Sequence, residues 1–294
     1  MSAGRVAAAP AAGARGRTDR LRAAHPVAHA VLITISAIAL VPMFWMLSTS
    51  LKAKGTELEW PIRWIPDPIV FDNYVRAHTI LSFPIYYRNT ILIAVAATLG
   101  AVITSSMAGY AFARLRFVGR GVLFVLVLAT MMLPHIVTLI PTYIIFRSFG
   151  WIDTFLPLIV PSWLGGGAFN VFLTRQFFMT LPRELDDAAR VDGASNWRIY
   201  VQILLPLCVP VLAVVGIFTF VEHWTEFLLP LIYLNSDHMR TVSIGLALGE
   251  GTFRNTYNYI MAVAFTMTLP IALLFFSAQR YFMKGVVMTG LAGR

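Results

Sequence analysis

Three ionisable side chains stand together where nearly everything around them is apolar: Glu222, His223 and Glu226. Two carboxylates and an imidazole can move protons or line the path of a polar solute. A carboxylate at the centre of a bilayer costs about 2.5–3.5 kcal/mol on insertion scales, so such groups face protein or water rather than lipid. On one helix Glu222 and Glu226 are four apart and share a face, where their charges repel. Pro230 has no N–H to offer the carbonyl of Glu226, which frees that oxygen. With Trp224 and Thr225, Glu222 and Glu226 form a candidate wall of a solute pathway, while His223 by itself reads as a packing or interface residue. The same residues also admit a second reading, as buried, hydrogen-bonded groups that hold helices together. No nucleophile or metal set accompanies them. The one cysteine, Cys208, lies in an apolar run, and no Cys/His metal spacing occurs.

A second constellation lies just upstream, in the longest polar interruption of the chain's second half. It runs from Leu181 to Ser195 and holds Arg183, Glu184, Asp186, Asp187, Arg190 and Asp192. Pro182 suits a first helical turn, and the three acids of the first turn complement the positive end of the helix dipole. Gly193 stands where a helix stops with a left-handed residue. Ser195 can cap a second helix that ends at Pro206. On the first helix Leu185, Ala188, Ala189 and Asp192 fall at i, i+3, i+4 and i+7, a narrow face of mostly small residues. A face of that kind lets another protein approach the backbone closely. The expected role is docking.

The elements that must position these groups are membrane helices. Hydrophobic residues are 58% of the chain and charged residues 13%, about half the charge of a soluble domain. Apolar windows recur at 26–51, 88–113, 120–146, 154–179, 207–234 and 257–281, each long enough to cross ~30 Å of hydrocarbon. The first is too long for a secretory signal and reads as a retained span. Residues 1–25 read as a disordered basic tail, 180–206 as the polar loop between the fourth and fifth spans, and 282–294 as a basic C-terminal tail. With both termini inside, fifteen of the twenty-three Lys and Arg residues fall on the inner side, as the positive-inside rule asks. The net charge of +9 is therefore topological and calls for no nucleic acid. Glu222 then lies roughly 22 Å from the inner end of the fifth span.

Two stretches leave alternatives open. The outer segment 52–87, with Trp60, Trp64, Tyr74, Tyr86 and Tyr87, reads as an interfacial apron or as a docking surface for an extracytoplasmic partner. The run Gly165-Gly166-Gly167 marks either close helix packing or a break beside a pathway.

The polar loop carries a resemblance. Asp187-Ala188-Ala189, three residues, Gly193, nine residues, Ile203-Leu204-Leu205-Pro206 resembles the cytoplasmic signature of ABC-importer permeases, Glu-Ala-Ala-x3-Gly-x9-Ile-x-Leu-Pro, with Asp187 in place of Glu. The match is closest to the carbohydrate-uptake, maltose-type subfamily and covers roughly residues 26–285. The segment Phe172 to Phe178 is similar to that subfamily too. Trp224-Thr225-Glu226-Phe227 stands where the family shows Trp-Asn-Glu/Asp-Phe.

The resemblance implies an all-α membrane protein with six spans, cytoplasmic termini and a coupling helix between the fourth and fifth, in the bacterial cytoplasmic membrane. Glu184, Leu185, Asp187, Ala188, Ala189, Asp192 and Gly193 would then dock an ATPase subunit. It further implies a dimer of ATP-binding subunits, a second and different permease, an extracytoplasmic solute-binding protein, and a sugar or related solute. No Gly-x4-Gly-Lys-Ser/Thr occurs, so the chain itself offers no phosphate cradle. ATP and magnesium belong to the partner, and the chain is not expected to be an enzyme. Two readings of other classes are an ion-coupled secondary transporter and a membrane-embedded enzyme using Glu222, His223 and Glu226. Internal repeats would favour the former; none is visible.

Overall fold

The structure is a computed structural model that describes residues 13–57, 59–253 and 256–291, with side chains for 26–57, 59–253 and 256–279. Among the described residues every regular element is a helix. Helix α1 (Gly13–Ser50) is followed by α2 (Asp72–Ile80), α3 (Phe83–Arg114), α4 (Arg120–Thr130) and α5 (His135–Ser148). Next come α6 (Leu156–Trp163), α7 (Ala168–Thr180) and α8 (Glu184–Val191). The short pieces α9 (Asn196–Arg198) and α10 (Leu205–Leu207) flank a π-helical stretch, Ile199–Leu204. The chain closes with α11 (Val209–Thr225), α12 (Leu228–Tyr233), α13 (Val242–Thr252) and α14 (Tyr257–Leu291).

Helix α3 is the post of the bundle, packing against α6, α7 and α11, while α14 carries α1, α2 and α11. The reason lies in its residues. Ala97, Ala101, Ser105, Gly109 and Ala113 recur every four positions and are all buried, a small-residue stripe that admits neighbouring backbones closely. A Cβ at Gly109 would come within 2.8 Å of the Arg175 backbone nitrogen on α7. Thr174 Oγ1 then donates to Ser105 O at 2.9 Å across that contact.

Four stretches are long and apolar enough to cross a membrane: Pro26–Ser50, Phe83–Arg114, Leu156–Thr180 and Tyr257–Gln279. Two further pairs qualify only when each bent pair is taken together: α4 with α5, bent by 100°, and Asn196–Leu207 with α11, bent by 77°. The window 120–146, expected as one span, is therefore two helices. Pro134 forces the break, since it takes an extended ψ of 131° at the start of α5 and cannot continue the α4 ladder. The triple glycine is both a break and a contact. All three residues have positive φ, and Gly166 lies against Ala101 O, 2.5 Å from where a Cβ would stand.

Three more expectations shift. Residues 13–25 are helical rather than irregular, and the expectations for 1–12 and 292–294 lie outside the described residues. The C-terminal tail is helical as far as Leu291. Residues 235–256, between the last two apolar windows, are not a bare connection but contain α13, whose Val242, Ile244 and Gly245 are buried against α3 and α14.

Candidate functional site

Helix α8 is built at both ends by its own backbone chemistry. The N–H groups of Asp186 and Asp187 both donate to Arg183 O, at 2.9 and 3.1 Å, and Glu184, Asp186 and Asp187 occupy the first turn. Pro182 stands just before that turn rather than in it. At the other end Gly193 has φ 76°, Gly193 N donates to Arg190 O at 3.0 Å, and Ala194 N donates to Ala189 O at 2.9 Å. That pair of bonds is a Schellman closure, and it needs the left-handed residue at Gly193. Ser195 Oγ accepts from Arg198 N at 3.3 Å and starts the next helix. The second helix does not stop at Pro206. Its turns widen so that Leu205 N donates to Tyr200 O, five residues back, and the chain runs on to Leu207 before bending.

The expected docking face of α8 divides in two. Leu185 and Ala189 turn inward onto a core of Tyr110, Phe178, Ile199, Tyr200, Leu204 and Cys208. Glu184, Asp187, Ala188 and Asp192 are exposed, as is Val191 at 88%. The helix lies over the ends of α3 and α7, so its most apolar line is consumed by its own chain. What remains for a partner is Glu184, Asp187, Ala188, Val191 and the Gly193 turn.

One residue of this site escaped the sequence reading. Arg114, the last residue of α3, donates through Nη2 to Phe178 O and Leu181 O, each at 2.7 Å, and its Nη1 meets Asp186 Oδ2 at 3.3 Å. The two side chains are 3% and 7% exposed. A single guanidinium thus ties α3, the end of α7 and α8. In the sequence Arg114 reads as one more inner-side charge at a helix C-terminus, which hides the pairing. Asp187 makes only an exposed pair with Arg190 at 3.4 Å, worth little to stability.

The pathway candidates are placed less tightly. Helix α11 ends at Thr225 and Glu226 takes φ −61°, ψ 129°, so Glu222 and Glu226 do not share one helical face. Glu226 Oε1 accepts from Leu228 N and Leu229 N, at 2.9 and 3.2 Å, serving as a cap for α12. Trp224 is 1% exposed and donates from Nε1 to Met267 O at 3.0 Å; it is packing, not wall. Thr225 Oγ1 donates to Val221 O at 2.8 Å. His223 Nδ1 lies 2.9 Å from Thr219 O and Nε2 lies 3.4 Å from Ser162 Oγ. A carbonyl only accepts, so Nδ1 carries the proton and His223 bridges α11 to α6. Glu222 is exposed, with no hydrogen bond or ion pair among the described residues.

At the opposite end of the chain's spans, Asp153 joins two connections. Its carboxylate accepts from Asn235 N and Ser236 N, each at 2.9 Å, and from the Ser236 hydroxyl. These donors hold the Asp153 carboxyl below its ordinary value, the Ser236 hydroxyl most of all. After α1, Lys52 sits 4.2 Å over the Trp45 ring, and burial lowers its ammonium pKa. Trp60 stays 86% exposed.

Comparison with known proteins agrees with this architecture. Residues 100–287 match the family model described as a binding-protein-dependent transport system inner membrane component. A diacetylchitobiose uptake system permease protein of Streptomyces coelicolor is 32% identical over 91% of this chain and 88% of its own. An arabinooligosaccharides transport system permease protein of Halalkalibacterium halodurans is 32% identical over 88% and 93%. An sn-glycerol-3-phosphate transport system permease protein of Brucella abortus is 32% identical over 90% and 96%. The fold matches a chain of a bacterial ABC transporter that imports the polysaccharide alginate, with TM-score 0.76 over 90% of this chain and 98% of that one, at 23% identity. An apolar helical bundle with a capped polar helix strapped beneath it, and a family model covering most of that bundle, lead to one assignment: the chain belongs to the inner-membrane components of binding-protein-dependent transport systems.

Proposed function

We propose that the chain is a transmembrane permease subunit of an ATP-driven importer in the bacterial cytoplasmic membrane. It forms part of the path for a sugar, an oligosaccharide or a polyol derivative handed over by a solute-binding protein. The observation that carries this reading is the mounting of α8: capped at both ends, pinned to α3 by a buried guanidinium, yet exposed along Glu184, Asp187, Ala188 and Val191. The solute class rests on the relatives, whose names speak of diacetylchitobiose, arabinooligosaccharides and sn-glycerol-3-phosphate. In this reading the chain has six spans, each bent pair being one, with both termini and α8 in the cytoplasm; the arginine bias of the sequence supports that orientation. ATP and magnesium sit in a separate ATPase pair, and a second permease completes the pathway.

In this reading ATP-driven closure of the ATPases favours one arrangement of the helices over the other, by differential affinity alone. Helix α8 transmits that bias because it cannot shift without dragging α3. The test is reconstitution with the ATPase and loaded binding protein, reading ATP hydrolysis and solute uptake together. Asp187→Ala is expected to abolish stimulation by loaded binding protein while the complex still assembles, and Asp187→Glu to retain it. Uptake that proceeds without ATP, driven by an ion gradient, would overturn the assignment.

A further inference from the structure

A cavity of about 550 Å³ opens between the turn joining α3 to α4 and the exposed side of α8. Arg114, Arg116, Arg183 and Arg190 line it, and Arg120 lines an adjoining lobe. Asp186 and Asp187 are the acids in the lining, so five arginines against two aspartates leave three positive charges uncompensated. Asp186 is held by Arg114 and Asp187 by Arg190. Arg120 donates to Leu115 O at 2.9 Å. The guanidinium groups of Arg116 and Arg183 make no hydrogen bond or ion pair among the described residues. Guanidinium groups gathered this closely repel one another unless an anion joins them, and their planar forks suit phosphate oxygens.

The surroundings say which phosphate. Between Arg116 and Arg120 the turn presents Phe117, 40% exposed, and Val118, fully exposed. Beside it the Phe112 ring lies 5.9 Å from Phe117 and 5.4 Å from Phe124, and the Arg175 guanidinium lies 4.1 Å over Phe124. Arginines interleaved with exposed apolar side chains, at the junction of two apolar helices, match a headgroup above and acyl chains below. A free inorganic anion makes no use of Phe117 and Val118.

We propose that this cleft holds the phosphate of an anionic phospholipid, gripped by Arg116 and Arg183, with the acyl chains against Phe117 and Val118. The lipid then touches the base of α8 and ties its position to the plane of the membrane. The proposal requires only that the chain is a membrane component, not that it imports a sugar, and its test reads lipid rather than transport.

Full-length chain in neutral detergent is offered phosphatidylglycerol, phosphatidylcholine or inorganic phosphate, and bound lipid is counted by native mass spectrometry. Wild type is expected to retain phosphatidylglycerol at least tenfold over phosphatidylcholine. The double variant Arg116→Gln/Arg183→Gln, both exposed positions, is expected to lower that retention about tenfold to thirtyfold, the loss of two arginine–phosphate contacts at a surface. Arg198→Gln, which instead breaks a contact to Gln202 outside the cleft, is expected to change nothing. Equal retention of phosphatidylcholine by wild type overturns the proposal without any variant. So does displacement of the lipid by inorganic phosphate at equal concentration, which would mark a free-anion site. Undiminished lipid binding in the double variant overturns it too, and loss of ATPase co-purification there would assign the cleft to an acidic protein segment instead.

Discussion

The two polar regions of this bundle are built in opposite ways. Around α8 the buried ion pair is closed within the chain: Arg114 meets Asp186 and donates to two carbonyls, leaving only Arg114 Nε and Asp186 Oδ1 without a hydrogen bond, and Leu185 and Ala189 pack onto the core beside it. Around the end of α11 the chain is left open. The helix stops at Thr225, Glu226 spends its carboxylate on capping α12, and Glu222 makes no hydrogen bond or ion pair among the described residues. If α8 passes force to a partner it must not yield, whereas if the end of α11 meets a changing solute it must leave groups unspent. Stability is therefore concentrated at one end and polarity held available at the other, as expected when low-stability elements serve ligands.

The largest break in that contrast is expected at the strut. Asp186→Ala leaves Arg114 buried without its charge partner, a defect that costs about 3–5 kcal/mol where a buried pair loses one member. The variant is expected to accumulate poorly in membranes and to melt well below wild type in detergent. Replacing both residues, Arg114→Leu with Asp186→Leu, removes the unpaired charge and is expected to recover much of the melting temperature. Normal melting of Asp186→Ala alone would show that the pair holds nothing.

Gly193→Val comes next. With φ at 76° and nothing within 4 Å of an added Cβ, the only penalty is backbone strain, about 1–3 kcal/mol. That strain falls on a turn outside the core, so membrane accumulation is expected to stay near wild type while co-purification of the ATPase drops several-fold. Loss of accumulation instead would place the turn inside the folding core.

Much of the region around α8 was legible before any coordinates. Gly193 at a helix stop and Ser195 as a cap follow from rules that act over three or four residues, and both hold. What failed needed long-range knowledge. Leu185 and Ala189 look like a docking face on a helical wheel, but a wheel does not say whether the chain's own α3 and α7 lie beneath it. Arg114 and Asp186 are 72 positions apart, beyond any periodicity. At the end of α11 the wheel places Glu222 above Glu226 because the window 207–234 reads as one continuous helix, with Pro230 only freeing the carbonyl of Glu226. The chain leaves the helix earlier, at Glu226, where Glu226 itself supplies the cap for the next one.

That cap gives the third prediction. Glu226→Ala removes the acceptor for Leu228 N and Leu229 N and is expected to cost about 1 kcal/mol, the usual worth of a capping oxygen. Glu226→Gln keeps a carbonyl oxygen at the same reach and is expected to melt within a degree or two of wild type. A melting point for Glu226→Gln as low as that of Glu226→Ala would mean that the charge, not the hydrogen bonds, holds the break.

Glu222 should show the smallest effect on stability, and one of opposite sign. It sits in the last turn of α11, three residues before the helix ends at Thr225, where the negative end of the dipole disfavours a carboxylate. No donor among the described residues repays that placement. Glu222→Gln is therefore expected to leave the melting temperature unchanged or to raise it slightly, by an amount corresponding to no more than about 0.3–1 kcal/mol. If the carboxylate is kept for solute or for water in the path, the same variant lowers uptake, or changes its solute dependence, in vesicles where ATP-binding partners and melting are normal. A drop in both melting and accumulation would mean that Glu222 is a structural contact with a neighbouring subunit. In that case the unspent polarity at this end of the bundle would belong to assembly and not to transport.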